Sequence, residues 1–240
     1  MVFYLIGTGL NVKSMTAEAL EIVKNADKVY LENYTVNFPY KIEELEKELG
    51  IKIVQLNREK VEAEEFVQDA RKKEIVLLIY GSPLDATTHI SLILKCKKDK
   101  IKYRIIHNSS IFDAITETGL QLYKFGKTTS MPKFQKNFEP SSFLDIVKEN
   151  NSIKAHSLIL TDIGLESKQA LEQLEKASKE KELKLDKIII ISKAGTQESH
   201  VFYDSISNLK KKNIEMPFCI IIPGEMHFIE KEALDILKEK

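Results

Sequence analysis

Short runs of β-branched and other apolar residues alternate along this chain with longer stretches in which apolar positions recur every three or four residues. Strands are predicted over residues 3–6, 28–31, 51–55, 75–80, 103–107, 157–160, 187–191 and 218–222. Several of these runs are apolar at nearly every position, as expected for strands covered on both faces. Helices are predicted over 16–26, 42–49, 61–73, 87–98, 143–150, 167–181 and 231–238. In the first of them Ala19, Leu20, Ile22, Val23 and Ala26 share one helical face. Strand followed by helix, repeated, predicts an α/β protein with mainly parallel sheets.

The rhythm changes between His107 and Phe143, where Gly, Pro and Ser become frequent and periodicity fades. A domain boundary is expected near Asn108, with an N-terminal α/β domain over 1–108 and a C-terminal α/β domain over 109–240. A strand or two would open the second domain before the alternation resumes.

Charge narrows the function classes. Lys and Arg number 36 and balance 36 Asp and Glu, without the basic excess that phosphate neutralisation brings. The two cysteines, Cys96 and Cys219, lie far apart in apolar surroundings and read as small buried hydrophobes. The apolar opening MVFYLIG is short and lacks a basic lead, and no apolar run reaches the roughly 18 residues of a membrane span. A soluble, intracellular and most simply cytoplasmic protein is expected.

Polar loops fall repeatedly at strand ends. The first strand runs into Gly7-Thr8-Gly9-Leu10, where two glycines let the backbone turn tightly or approach a ligand. Val12 stands where a dinucleotide fingerprint would place its third glycine. The strand ending at Tyr80 runs into Gly81-Ser82-Pro83-Leu84-Asp85-Ala86-Thr87-Thr88-His89, an irregular turn enforced by Pro83. His107-Asn108-Ser109-Ser110-Ile111-Phe112-Asp113 follows another strand, with Ser110 and Asp113 at helix-capping spacing. In the second half, Thr161-Asp162 and Lys193-Ala194-Gly195 occupy equivalent positions. Each loop also has a plain reading as a capped strand-to-helix turn. The five histidines lack the i, i+4 spacing of a helical zinc site, and neither GxSxG nor a P-loop is present. Chemistry of this kind relies on an activated co-substrate and on positioning.

Carried by FYLIGTGL, GSPLDATTH, IHNSSIFDAITETGLQLYKFG, FEPSSFLDIVKEN, HSLILTDI, SKAG and IIPGEMHFIE, in that order, the chain resembles the tetrapyrrole methylase family. The TGLQLYKFG stretch points to the branch of that family acting in diphthamide biosynthesis. The resemblance implies two α/β domains with S-adenosyl-L-methionine in the cleft between them, usually in a homodimer. It implies cofactor contacts at Leu10, Ser82, Asp85, Ser110, Ile111, Thr161, Ala194 and Phe218. It also implies an N-methyltransferase that methylates the 3-amino-3-carboxypropyl group on a histidine of translation elongation factor 2. Ser82 replaces the family's usual Asp, Asp85 stands at a usually apolar position, and Phe218 stands where His is frequent. His89 and Asp162 are the candidate bases, and Tyr123 to Lys127 is read either as part of a substrate-facing rim or as a surface hairpin. A corrinoid-precursor methylase and a non-enzymatic elongation-factor-binding module stay open as alternatives.

Overall fold

The computed structural model describes residues 1–238. Its chain divides into two compact units, Met1–Ile111 and Phe112–Lys240. The first contains β1 (Phe3–Gly7), α1 (Ala17–Asn25), β2 (Lys28–Glu32), α2 (Ile42–Leu49), β3 (Val54–Leu56), α3 (Arg58–Glu62), β4 (Ile75–Ile79), α4 (Ile90–Lys98) and β5 (Tyr103–Ile106). The strands form one sheet in the order β3-β2-β4-β1-β5, and every neighbouring pair is parallel. All five residues of β4 are buried, which explains their uniformly apolar character. One face of the sheet packs Leu5, Ile75 and Leu77 against Val67, Leu92 and Cys96. The other packs Ile6, Val76 and Leu78 against Ala19, Val23, Leu45 and Leu49. Each such leucine or isoleucine contributes about 1.5–3 kcal/mol by leaving water.

α5 (Ile111–Ala114) is followed in the second unit by β6 (Thr129–Met131), α6 (Phe143–Ser152), β7 (Ser157–Thr161), α7 (Ser167–Glu180), β8 (Ile188–Ser192), β9 (His200–Asp204), α8 (Ile206–Leu209), β10 (Phe218–Ile222) and α9 (Phe228–Leu237). This sheet has the order β6-β7-β10-β8-β9. Only β6–β7 is parallel; β7–β10, β10–β8 and β8–β9 are antiparallel. The α/β class and a parallel majority hold across the two sheets, but the parallel pattern is corrected for the second unit. The reason is local. Residues 193–199 join β8 to β9 without a crossover helix, so those strands pair as antiparallel neighbours.

The strand expected over 51–55 is β3 at Val54–Leu56, and three helices depart most from the sequence expectation. The helix expected over 61–73 is α3 followed by a 3-10 turn at Glu65–Arg71, broken where Glu64 takes a left-handed φ of 57°. Val61, Val67 and Ala70 are still buried, so two short pieces satisfy the same apolar pattern. α4 starts at Ile90 rather than near Thr87 because Ala86 has a φ of 50° and cannot open a helix. α9 begins earlier than expected, at Phe228, capped by His227 and Glu230.

Candidate functional site

In the first unit three loops leave the carboxyl edge of the parallel sheet, where open α/β sheets bind ligands. The loops after β1 and β4 are stitched together by Gly9 N to Gly81 O at 3.1 Å and Gly81 N to Gly9 O at 3.0 Å. Gly81 has a φ of +74°, a conformation that suits glycine. Asn108, after β5, donates to the carbonyls of Gly7 at 3.1 Å and Ser14 at 2.9 Å. Ser110 donates to Asp85 Oδ2 at 2.7 Å. Leu10, Ser82 and Ser110 are buried, Ile111 is half-buried, and Asp85 is exposed. The carbonyl of Leu10 accepts the Tyr80 hydroxyl at 3.0 Å. Burial pushes Tyr40 up to about 12 and Tyr80 higher still, so both phenols beneath these loops stay neutral. Sequence reading missed Tyr80, whose partner lies 70 residues away.

The two candidate bases are otherwise engaged. His89 is 2% exposed, with Nδ1 2.8 Å from Thr87 Oγ1 and Nε2 facing Glu32. Asp162 accepts the backbone amides of Lys133 through Oδ2 and Ile163 through Oδ1, both at 2.9 Å. It therefore holds the turn after β7 and does not cap α7, whose N-cap is Glu166. Among the described residues no group of three or more His, Cys, Asp or Glu is placed to hold a metal ion, and no helix is long and apolar enough to cross a membrane.

In the second unit Thr161, Ala194 and Phe218 come to one end of the sheet. Thr161 Oγ1 donates to the carbonyl of Phe218 at 2.8 Å, and Lys193 N donates to that of Pro217 at 2.8 Å. Ala194 and Phe218 are each 6% exposed, and the Phe218 ring belongs to the apolar core. The loop carrying Ala194 is held by Glu117, which accepts Gly195 N at 3.1 Å and Ser199 Oγ at 2.7 Å.

The other end of that sheet carries a buried charge network. Glu230 is fully buried and accepts Gln121 N at 2.9 Å, His227 N at 2.7 Å, Lys124 Nζ at 2.5 Å and His156 Nε2 at 3.1 Å. Burial alone would raise its pKa. The Lys124 ammonium, the two amides and His156 outweigh burial and bring it down to about 2. His156 accepts Gly224 N at 2.9 Å through Nδ1, so its proton sits on Nε2 and points at Glu230. A second ring proton would face the Gly224 amide, in keeping with a His156 pKa lowered mainly by burial.

Tyr123 to Lys127 lies at this end, where Phe125 bridges to His156 at the start of β7. Thr161 is five residues further along, roughly 16 Å at strand rise. The segment therefore stands at the opposite end of β7 from Thr161. It flanks a separate open cavity of about 620 Å³, lined by Tyr123, Phe125, Ile153, Met226 and Phe228 among others.

Against this geometry, residues 2–210 match the family model described as Tetrapyrrole (Corrin/Porphyrin) Methylases. A diphthine synthase of Methanococcus aeolicus is 38% identical over 98% of this chain and 97% of its own. The chain belongs to the diphthine synthase branch of the tetrapyrrole methylases. The diphthine methyl ester synthase of Schizosaccharomyces pombe is 42% identical over 74% of this chain and 63% of its own. A diphthine synthase crystal structure superposes with a TM-score of 0.90 at 32% identity, covering 99% of this chain and 96% of that one. As a member of this methylase family, the protein is a methyl-transfer enzyme. Within that family reading, Ser82 brings a buried hydroxyl to the loop after β4, and the loop's carboxylate is the exposed one of Asp85.

Proposed function

We propose that this methyltransferase uses S-adenosyl-L-methionine to methylate the amino nitrogen of a 3-amino-3-carboxypropyl histidine on translation elongation factor 2, in the cytoplasm and as a homodimer. The observation that carries the reading is full-length similarity to diphthine synthases in a chain whose loops converge at the carboxyl edge of a parallel sheet. The donor contacts proposed are Leu10, Ser82, Asp85, Ser110 and Ile111, with Thr161, Ala194 and Phe218.

The residues present fit such a donor. Gly7, Gly9 and Gly81 let backbone approach closely, and Asp85, fixed through Oδ2 by Ser110, offers its other oxygen to a ligand hydroxyl or ammonium. S-adenosyl-L-methionine supplies a methyl group on a sulfonium, already a strong electrophile. The chain's part is alignment and exclusion of water. With His89 buried and Asp162 committed to its turn, the amine proton leaves to solvent.

Calorimetry with S-adenosyl-L-homocysteine tests the donor. Binding is expected for the natural chain. Asp85→Ala, which removes a charge-assisted acceptor, is expected to weaken it roughly tenfold to a hundredfold. Undiminished affinity in Asp85→Ala would remove Asp85 from the site. Absence of any binding by the natural chain would favour an inert elongation-factor-binding module.

A further inference from the structure

Two buried polar groups in the first unit have no role in the transfer described above. Glu32 ends β2 and is 0% exposed; His89 precedes α4 and is 2% exposed. Glu32 Oε2 lies 3.4 Å from His89 Nε2, and neither atom has a hydrogen-bond partner. Buried polar atoms left this way are uncommon and unfavourable.

Both groups are held facing one another. Glu32 Oε1 accepts the Thr35 amide at 3.2 Å and the Thr35 hydroxyl at 2.5 Å, which fixes the carboxylate. The His89 ring has Thr87 Oγ1 on Nδ1 and the edge of Tyr34 against it, with centroids 6.4 Å apart. With its proton on Nε2, His89 points a donor at Glu32 while Nδ1 accepts from Thr87.

The placement of the pair gives it a role. Residues 81–89 are the loop that carries Ser82 and Asp85. Its start is tied by the Gly9–Gly81 hydrogen bonds and its middle by Ser110 to Asp85. Its end has no side-chain cap at the start of α4 and a left-handed Ala86 just before it. We propose that Glu32 and His89 are positioning residues: a buried latch from β2 that holds the far end of this loop, and with it Ser82 and Asp85, in the donor-binding conformation. The inference rests on the donor reading above only for what the loop binds.

The test uses the full chain and its Glu32→Gln, Glu32→Leu, His89→Leu and Glu32→Leu/His89→Leu variants. Two quantities are read: amide hydrogen exchange across residues 82–89 without ligand, and the Kd for S-adenosyl-L-homocysteine. Each single variant is expected to speed exchange in that loop about tenfold or more. Each is expected to weaken binding on the order of tenfold to a hundredfold. The double variant is expected to be no worse than the worse single, because the two groups act as one unit. Glu230→Gln, which weakens the second unit, is expected to leave exchange across residues 82–89 within about twofold of the natural chain. Glu32→Gln keeps the side chain's shape should the leucine variants fail to fold. Natural exchange rates and Kd in the single variants would overturn the latch, as would an equal change in that exchange in Glu230→Gln. A natural chain that binds no S-adenosyl-L-homocysteine would sink the donor reading, and the exchange data would then judge the latch alone.

Discussion

Glu230→Gln is expected to destabilise the second unit by about 3–5 kcal/mol, the range for breaking a buried ion pair. Glutamine has nearly the same shape, so the loss is electrostatic. Oε1 faces the Gln121 amide and His156 Nε2, while Oε2 faces the Lys124 ammonium and the His227 amide. Whichever way the glutamine amide turns, its NH2 meets two donors. At the scale of this chain the unfolding midpoint should fall by about 10 °C. Acid dependence follows from the same residues. Glu230 is lowered from 4.5 to about 2, so its stabilisation, about 3 kcal/mol, is full above pH 4.5 and drains away as pH falls towards 2. The His156 pKa lies below 6.5, so its neutral form adds stability that is present above that pH and lost as acid protonates it. Thermal melts of both proteins from neutral to acid pH check this. The natural chain should lose more stability below pH 4.5 than Glu230→Gln does. Parallel curves would remove the carboxylate from the account of stability.

Gly7→Ala should weaken S-adenosyl-L-homocysteine binding a hundredfold or more, on the order of what a misplaced contact costs. A Cβ at Gly7 would stand 2.4 Å from the Gly81 carbonyl oxygen, 3.0 Å from Pro83 Cδ and 3.1 Å from Asn108 Cβ. None of these is the free end of a flexible side chain. Relief requires the loops after β4 and β5 to back away, and those loops carry Ser82, Asp85, Ser110 and Ile111. Overpacking of this kind also destabilises by about 1–3 kcal/mol. Gly50→Ala is the control. Nothing lies within 4 Å of a Cβ there, so only its φ of +69° is strained, and affinity should be unchanged. Calorimetry on the three proteins decides the matter; a Gly7→Ala chain with natural affinity would show that the three loops do not form the donor site.

Most of the first unit was legible in the sequence because β1, β2 and β4 are short, largely apolar runs, each followed by a helix. Periodicity alone then gives element types and parallel pairing. The second unit gave less away. β9, with the sequence HVFYD, carries polar residues at both ends, and its pairing with β8 rests on a helix-free connection that hydrophobic patterning does not report. β6 has only three residues and draws its definition from β7. At the site, Ser110 and Asp85 were both visible as loop residues at strand ends, whereas their 2.7 Å contact spans 25 residues and depends on strand order. The Glu32–His89 and Glu230–His156 pairs lay beyond reach for the same reason. Nothing in the neighbourhood of Glu230 marks its partners Lys124 and His156, which lie 106 and 74 residues away. GSPLDATTH marks the loop that His89 closes, but no local feature marks Glu32 as its partner.

One measurement bears most directly on the transfer itself. Elongation factor 2 carrying the 3-amino-3-carboxypropyl histidine is incubated with this protein and S-adenosyl-L-methionine, and its peptides are then weighed by mass spectrometry. The expected result is a mass gain in whole methyl groups, confined to the modified histidine and suppressed by S-adenosyl-L-homocysteine. An unchanged factor, in a preparation that binds the donor or methylates a corrinoid precursor, would contradict the assignment.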